Sequence, residues 1–247
     1  LTPLDYTSAT GTTAPRRDLI VDDRLRARAD GGDTNGNGLL DPADLRVVFG
    51  NGRDDDGDGL VDEVSGWDLV DDDADPSAPG ALRAAHTAAA ETNNGLGGAG
   101  ACPRCTVLPI RVSTADGARG ERYADGIAWA GREGARVVLV TEPPDYGTSA
   151  LDAAVREATL RGALVVVPAG DRGGLARQAA FARTPALVVS ALAHDVYDRR
   201  LATTARAPHP RSSLAVERGL TAPGEDDIQA AALVAGVAAL VVSAAEG

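Results

Sequence analysis

Apolar positions after residue 100 follow a pattern that alternates between short strands and helices. Four valine-rich or otherwise apolar runs have the length and composition of strands buried on both faces of a sheet. They cover residues 106–112, 137–140, 164–167 and 186–189. We expect these strands to form one sheet.

The segments between and after these strands have helical patterns. Residues 123–134 and 149–161 each present an apolar stripe, and Gly134 and Gly162 are placed to end them. Residues 228–242 are apolar on every side, which is typical of a core helix. Helices of this length between buried strands predict right-handed β-α-β crossovers and an α/β fold with a parallel sheet between helices.

The composition is that of a packed globular protein. Hydrophobic residues make up 44% of the 247 residues and charged residues 24%. We expect no membrane span within this segment, because no apolar run reaches the roughly 18 residues that a span needs. The net charge of -12 argues against nucleic acid as a partner, since binding phosphates requires clustered cations.

Half of the acidic residues are concentrated in residues 18–75, which hold 18 of the 36 acidic residues against five arginines. Within this block, oxygen-bearing side chains recur at loop positions 1, 3, 5, 9 and 12, with Gly38 at position 6. They are Asp33, Asn35, Asn37, Asp41 and Asp44. This is the spacing of an EF-hand-type calcium loop, with Asp instead of Glu at the last position.

A second loop repeats the same spacing, with Gly59 at position 6. Its candidate ligands are Asp54, Asp56, Asp58, Asp62 and Glu63. Ca²⁺ is coordinated by six to eight hard oxygens, and adjacent carboxylates repel each other without a cation. We therefore predict that Ca²⁺ binds one or both loops, with a solvated acidic loop as the alternative.

The two cysteines, Cys102 and Cys105, form one C-x-x-C. We predict a local disulfide, with free thiols, redox chemistry or a metal as alternatives. A single C-x-x-C does not complete a four-ligand zinc site without outside ligands.

Several segments, in their order along the chain, resemble the subtilisin-like serine proteases (subtilases). Residues 51–76, NGRDDDGDGLVDEVSGWDLVDDDADP, resemble a family insert that contains G-W-D-[FL]-V. Residues 92–112, TNNGLGGAGACPRCTVLPIRV, are similar to the family's N-N-G-x-G-x-A-G segment. Further similar segments are GALVVVPAG at 162–170, TAPG at 221–224 and LVAGVAAL at 233–240.

The resemblance implies one three-layer subtilisin-like domain over residues 1–247, in which residues 30–76 form an acidic calcium-binding insert. Because the family is secreted and extracellular calcium saturates weak sites, we expect a secreted, periplasmic or cell-surface protein. Its signal peptide would already have been removed.

The family's catalysis uses an Asp–His–Ser triad, in which Ser attacks the carbonyl, His takes its proton and Asp holds the His. Alignment to the family's motifs places Ala9 at the Asp position, Gly80 at the His position and Ile228 at the Ser position. Asp171 replaces the Asn that stabilises the oxyanion. The resemblance thus implies a pseudoprotease with no catalytic residue at the family's positions.

We therefore expect a non-catalytic domain, stabilised by calcium, that serves as a binding or structural component of an extracytoplasmic assembly with protein partners. The alternative is an active calcium-dependent serine-type endopeptidase with a rearranged catalytic site, for example His209 with Ser212 or Ser213. A calcium-responsive switch is a third hypothesis. Calcium-dependent peptide cleavage distinguishes the enzyme from the other two.

Overall fold

The structure, a computed structural model, describes residues 33–34, 36, 42–77, 82–93, 95, 97–114, 120–144, 146–170, 180–192 and 219–246. These residues fall into two compact units. The first contains the described residues up to position 77 together with Thr106–Ser113, and the second contains the remaining described residues. The expectation of a single domain over the whole chain stays a prediction.

Helices and strands alternate along most of the described chain. In order they are α1 (Pro42–Phe49), β1 (Trp67–Asp68), α2 (Leu82–Ala89), β2 (Ile110–Arg111), α3 (Gly120–Arg132), β3 (Val137–Leu139), α4 (Ser149–Leu160), β4 (Leu164–Pro168), β5 (Leu187–Leu192), β6 (Gly219–Pro223) and α5 (Asp227–Glu246).

The second unit is built on a four-stranded sheet with the order β3-β4-β5-β6, in which all neighbouring strands are parallel. Helix α4 connects β3 to β4, as a β-α-β unit requires. The Thr148 hydroxyl caps α4 by accepting a hydrogen bond from the Leu151 N–H at 3.1 Å. The predicted α/β fold is confirmed.

The core of this unit lies between the sheet and α5. Val166 and Val189 of the sheet are fully buried, and so are Ala230 and Ala231 of α5. Small residues also bring α5 close to α2. A Cβ on Gly236 would lie only 2.5 Å from the carbonyl oxygen of Ala88, so the helices approach at a point that only glycine fits.

Helix α5 is long and apolar enough to cross a membrane by length and composition alone: the window Asp227–Ala245 has a mean hydropathy of 2.1, and 28% of it is buried. The core helix of a soluble protein passes the same test but is mostly buried; in α5, Ala230 and Ala231 are buried, whereas Val237, Leu240 and Val241 are exposed. The expectation that this segment contains no membrane span stays a prediction.

The first unit contains a two-stranded parallel sheet of β1 and β2. Asp68, which is 1% exposed, organises the turn after β1 by accepting hydrogen bonds from the Val70 and Asp71 N–H groups. It also accepts a hydrogen bond from the Arg111 guanidinium at 2.5 Å. The buried carboxylate is therefore paired and hydrogen-bonded, as its burial requires.

The strand predicted over residues 106–112 was too long, since only Ile110–Arg111 pairs in a sheet. Pro109 directly before it has no N–H for a ladder. Its carbonyl instead accepts a hydrogen bond from the Trp67 N–H at 3.2 Å. The expectation that all four predicted strands form one sheet was also wrong, because β2 pairs with β1 and is not part of the four-stranded sheet. The other three predicted strands and all three predicted helices are confirmed, with ends shifted by a few residues.

Candidate functional site

Three carboxylates converge in the second acidic loop. Asp54, Asp56 and Asp58 are exposed, and one carboxylate oxygen from each lies within 4.8 Å of the other two. These residues occupy positions 1, 3 and 5 of the predicted calcium loop. The loop thus brings together the first three oxygen ligands that its spacing predicts.

Tight local turns produce this convergence. The Asp54 carboxylate accepts hydrogen bonds from the N–H groups of Gly57 and Gly59 at 2.6 and 2.9 Å. The Asp58 N–H donates to Asp56 at 3.0 Å. Gly57 and Gly59 have φ values of 81° and 97°, a region that glycine enters without strain. The glycines therefore let the chain wrap round the point on which the carboxylates converge.

Electrostatics within the cluster favours a cation. Partial burial raises the pKa of the Asp56 carboxyl above its ordinary value of 3.8, against the effect of the hydrogen bond from the Asp58 N–H. The negative charges of Asp58 and Asp54 raise this pKa further. A bound cation would relieve this repulsion.

Asp62 and Glu63 are placed differently from the three converging residues. The two Asp62 oxygens accept hydrogen bonds from the N–H groups of Asn51 and Gly52 at 2.6 and 2.8 Å, which ties the end of the loop to its beginning. Glu63 is fully buried. Among the described residues, the cluster of mutually close carboxylates contains neither of them.

The first predicted calcium loop is only partly described, because Asn35, Asn37 and Asp41 lie outside the described residues. Asp33 accepts a hydrogen bond from the Gly36 N–H at 2.7 Å. Asp44 is fully buried and accepts hydrogen bonds from the N–H and hydroxyl of Thr34 at 2.6 and 2.7 Å. The first and last predicted positions of the loop are therefore brought close together.

Cys102 and Cys105 are joined by a disulfide, with their Cα atoms 5.4 Å apart. Cys102 is 2% exposed, whereas Cys105 is half-buried. The Cys105 N–H donates to the Cys102 carbonyl at 3.0 Å, so the four residues form a turn.

The positions that the resemblance assigned to the triad lie mostly outside the described residues, which include neither Ala9, Gly80 nor Asp171. Ile228 is described: it lies half-buried in the first turn of α5. The start of this helix is fixed by a cap, because Asp226 accepts a hydrogen bond from the Gln229 N–H at 2.7 Å.

Three contacts that the sequence did not predict hold the start of α5. The buried Asp227 carboxylate accepts a hydrogen bond from the Ala191 N–H of β5 at 2.6 Å. Arg83 of α2 forms ion pairs with Glu225 and Asp226 at 3.1 and 3.2 Å. The spacing D-D-x-Q at residues 226–229 is typical of a helix N-terminus and could have predicted the Asp226 cap. The ion pair between Arg83 and Glu225 joins residues 142 positions apart, and neither ion pair left a signal in the sequence.

Comparison with known proteins places these features in a family. Residues 37–247 match the model of the Subtilase family. Thermitase from Thermoactinomyces vulgaris is 37% identical over 116 residues, which are 46% of this chain and 42% of thermitase. The thermophilic serine proteinase of Bacillus sp. (strain AK1) is 34% identical over 139 residues, which are 55% of this chain and 34% of that protein. The chain thus spans less than half the length of these relatives.

Solved structures agree on the fold. A cold-adapted subtilisin-like serine proteinase superposes with a TM-score of 0.58 and 21% identity, covering 73% of this chain and 68% of that one. A protease from Pseudoalteromonas arctica PAMC 21717 gives a TM-score of 0.53 with 23% identity, over 65% of this chain and 57% of that one. At these identities the likeness establishes the subtilisin-like fold alone.

These comparisons overturn the prediction that the chain is not an enzyme. That prediction rested on Ala9, Gly80 and Ile228 at the aligned triad positions. Two of the matched relatives are named as a thermophilic serine proteinase and an alkaline protease, so the comparisons point to a protease. The absence of catalytic groups from three aligned positions was too narrow a basis for a conclusion about activity.

Proposed function

Because this chain belongs to the subtilase family, we propose that it is a serine-type endopeptidase domain. The observation that carries the proposal is the family match over residues 37–247, together with a relative that is named as a thermophilic serine proteinase. The matched segments are 42% of thermitase and 34% of the Bacillus proteinase. The activity and substrates of the whole protein are therefore part of the proposal.

The catalytic site of this proposal is rearranged. Ile228 has a hydrocarbon side chain, which cannot attack a carbonyl, so a nucleophile must come from another position. A hydroxyl nucleophile needs a base within hydrogen-bond reach, and histidine is the commonest one. The chain contains three histidines: His86, which is exposed on α2, and His194 and His209, which lie outside the described residues together with Ser212 and Ser213.

We further propose that the domain depends on Ca²⁺. The donor set fits this ion, since Asp54, Asp56 and Asp58 offer hard carboxylate oxygens that converge within 4.8 Å. A bound Ca²⁺ would supply charge neutralisation and would order the loop. The chain itself supplies the turns at Gly57 and Gly59, which hold these carboxylates close together. An extracytoplasmic location follows as part of the proposal, because calcium is abundant there.

An active-site label tests the peptidase proposal. Fluorophosphonate probes modify a serine hydroxyl that a nearby base has activated. We expect the purified protein to be labelled in calcium-containing buffer and tryptic mass spectrometry to find the label on one serine. Heat-unfolded protein serves as the control and should not be labelled.

Three variants then identify the base. Each variant replaces one of the three histidines of the chain: His86→Ala, His194→Ala and His209→Ala. We expect one of them to abolish labelling and peptide hydrolysis, whereas the other two retain both. The proposal is wrong if the folded protein is not labelled, or if all three variants hydrolyse peptides as fast as the parent protein.

A further inference from the structure

We propose that the Cys102–Cys105 disulfide is a thiol-exchange site in the folded protein, opened by external low-molecular-weight thiols and closed again by the disulfide of the same thiol. The two sulfurs differ in accessibility, because Cys102 is 2% exposed and Cys105 is half-buried. Arg104, which lies between them in sequence, is exposed. An incoming thiolate therefore reaches Cys105, and the neighbouring cation favours its approach.

The exchange proceeds in two steps. A thiolate attacks the Cys105 Sγ, forms a mixed disulfide there and releases the Cys102 thiolate, which takes a proton from water. A second thiolate attacks the external sulfur of the mixed disulfide and releases the Cys105 thiolate, which is also protonated in turn. In total, two external thiols are oxidised to their disulfide and the protein disulfide is reduced to two thiols.

The residues just before the disulfide cap the end of α2. The backbone N–H groups of Gly100, Ala101 and Cys102 donate to three carbonyl groups at 3.0, 3.0 and 2.8 Å, respectively. The accepting residues are Ala90, Thr87 and Ala88. The Thr87 and Ala88 carbonyls belong to the last turn of α2, whose carbonyls have no partner within the helix, and Ala90 follows the helix directly. The segment thus supplies the hydrogen bonds that the helix end lacks.

The same segment lies where α2 meets α5. A Cβ on Gly236 of α5 would lie 2.5 Å from the Ala88 carbonyl oxygen and 2.8 Å from the Ala101 side chain. The disulfide begins at the residue after Ala101 and holds residues 102–105 in a turn. Reduction therefore loosens the cap of α2 and the crossing of the two helices.

The short loop makes this change local. A disulfide stabilises a protein mainly by restricting its unfolded chain, and the restriction grows with the number of residues between the cysteines. Only two residues separate Cys102 from Cys105, so this bond restricts the unfolded chain very little. We therefore expect reduction without global unfolding.

Thiol trapping tests the exchange. The native protein is incubated in calcium-containing buffer with reduced glutathione, quenched at intervals with N-ethylmaleimide and analysed by peptide mass spectrometry. We expect both cysteines to become labelled while the far-UV circular dichroism stays unchanged, with the early glutathione adduct on Cys105. The proposal fails if glutathione opens the bond only when denaturant has unfolded the protein. It also fails if the early glutathione adduct forms on Cys102.

Hydrogen exchange tests the consequence for the helix cap. On reduction, we expect the amides of residues 100–102 to exchange about tenfold faster, because their local opening becomes easier. The amides of β4 should not change. The variant Cys102→Ala/Cys105→Ala should reproduce this pattern without any thiol. Unchanged exchange at residues 100–102 in both the reduced protein and the variant would overturn the proposed coupling. None of these readouts depends on peptidase activity.

Discussion

The carboxylates of the second acidic loop look equivalent in the sequence but have two different roles: some converge at one point, and one closes the loop. Asp54, Asp56 and Asp58 converge at the surface. The Asp62 carboxylate instead accepts two backbone hydrogen bonds that close the loop. Substitutions at these positions should therefore affect calcium binding and loop stability to different degrees.

Asp56→Asn should weaken Ca²⁺ binding about tenfold or more, because it removes one of the converging negative charges. Isothermal titration calorimetry measures this affinity. Asp125→Asn, which changes an exposed carboxylate on α3, is the matched control and should bind as the parent does. Equal affinities of the parent and Asp56→Asn would show that this cluster is not the calcium site.

Asp75 makes stability depend on pH. The hydrogen bond from the Ser77 hydroxyl lowers the pKa of the Asp75 carboxyl below its ordinary value of 3.8, and the charge of Arg46, 3.0 Å away, lowers it further. The ionised form is thus favoured in the folded state. This contribution is complete above pH 3.8 and is lost as the pH falls through the lower pKa of the folded state.

Asp75→Asn should therefore lower the Tm at neutral pH and should reduce the fall in Tm between about pH 5 and pH 2. Thermal unfolding followed by circular dichroism at several pH values measures both effects. Ser77→Ala, which removes the largest cause of the pKa shift, should change the acid dependence in the same direction. A Tm difference between parent and Asp75→Asn that stays constant down to pH 2 would contradict this account.

The crossing of α2 and α5 depends on a single small residue, Gly236. Gly236→Ala places a methyl group against the Ala88 backbone, and overpacking of this kind costs about 1–3 kcal/mol of unfolding free energy. Gly131→Ala on α3 is the control: its Cβ would lie 3.1 Å from Ala158, which a small shift relieves. Alanine favours a helix over glycine by about 1 kcal/mol at both positions, so the difference between the variants reports the packing. Denaturant unfolding should show a large loss for Gly236→Ala and a small change for Gly131→Ala. Equal stability of the two variants would contradict this packing.

The elements found from the sequence are those whose own residues carry the signal. Continuous apolar runs predicted β4 and β5, and an apolar stripe ending at Gly162 predicted α4. The short helix α1 was missed because its first residues overlap the end of the first predicted calcium loop. Strand β6, with the sequence GLTAP, was missed because it is mostly exposed and ends in proline.

In the candidate site too, contacts between neighbouring residues in the sequence were predictable, and contacts between distant segments were not. The ligands of a calcium loop come from consecutive residues, so their spacing alone brought Asp54, Asp56 and Asp58 together. The contact between Arg83 and Glu225 depends on how α2 and α5 pack, which no local pattern specifies. A catalytic site assembled from distant segments leaves equally little local signal, so three aligned positions could not decide whether the chain is active.

At the scale of the whole molecule, the acidic block and the family membership support the central claim of our proposal, that this chain is a calcium-dependent endopeptidase. Residues 18–75 hold 18 of the 36 acidic residues, so removing calcium should leave strong repulsion within that block. Chelation should therefore lower the Tm and the activity together.

Digestion of a diverse peptide library, read by mass spectrometry with calcium in one arm and EDTA in the other, tests this claim most directly. The account predicts defined cleavage sites in the calcium arm and their loss in the EDTA arm. Heat-unfolded protein from the same preparation controls for contaminating proteases that survive heating, and a mock purification controls for the others. The absence of cleavage in both arms, from folded protein with a Tm that EDTA lowers, would contradict the peptidase and leave only a calcium-stabilised subtilase fold.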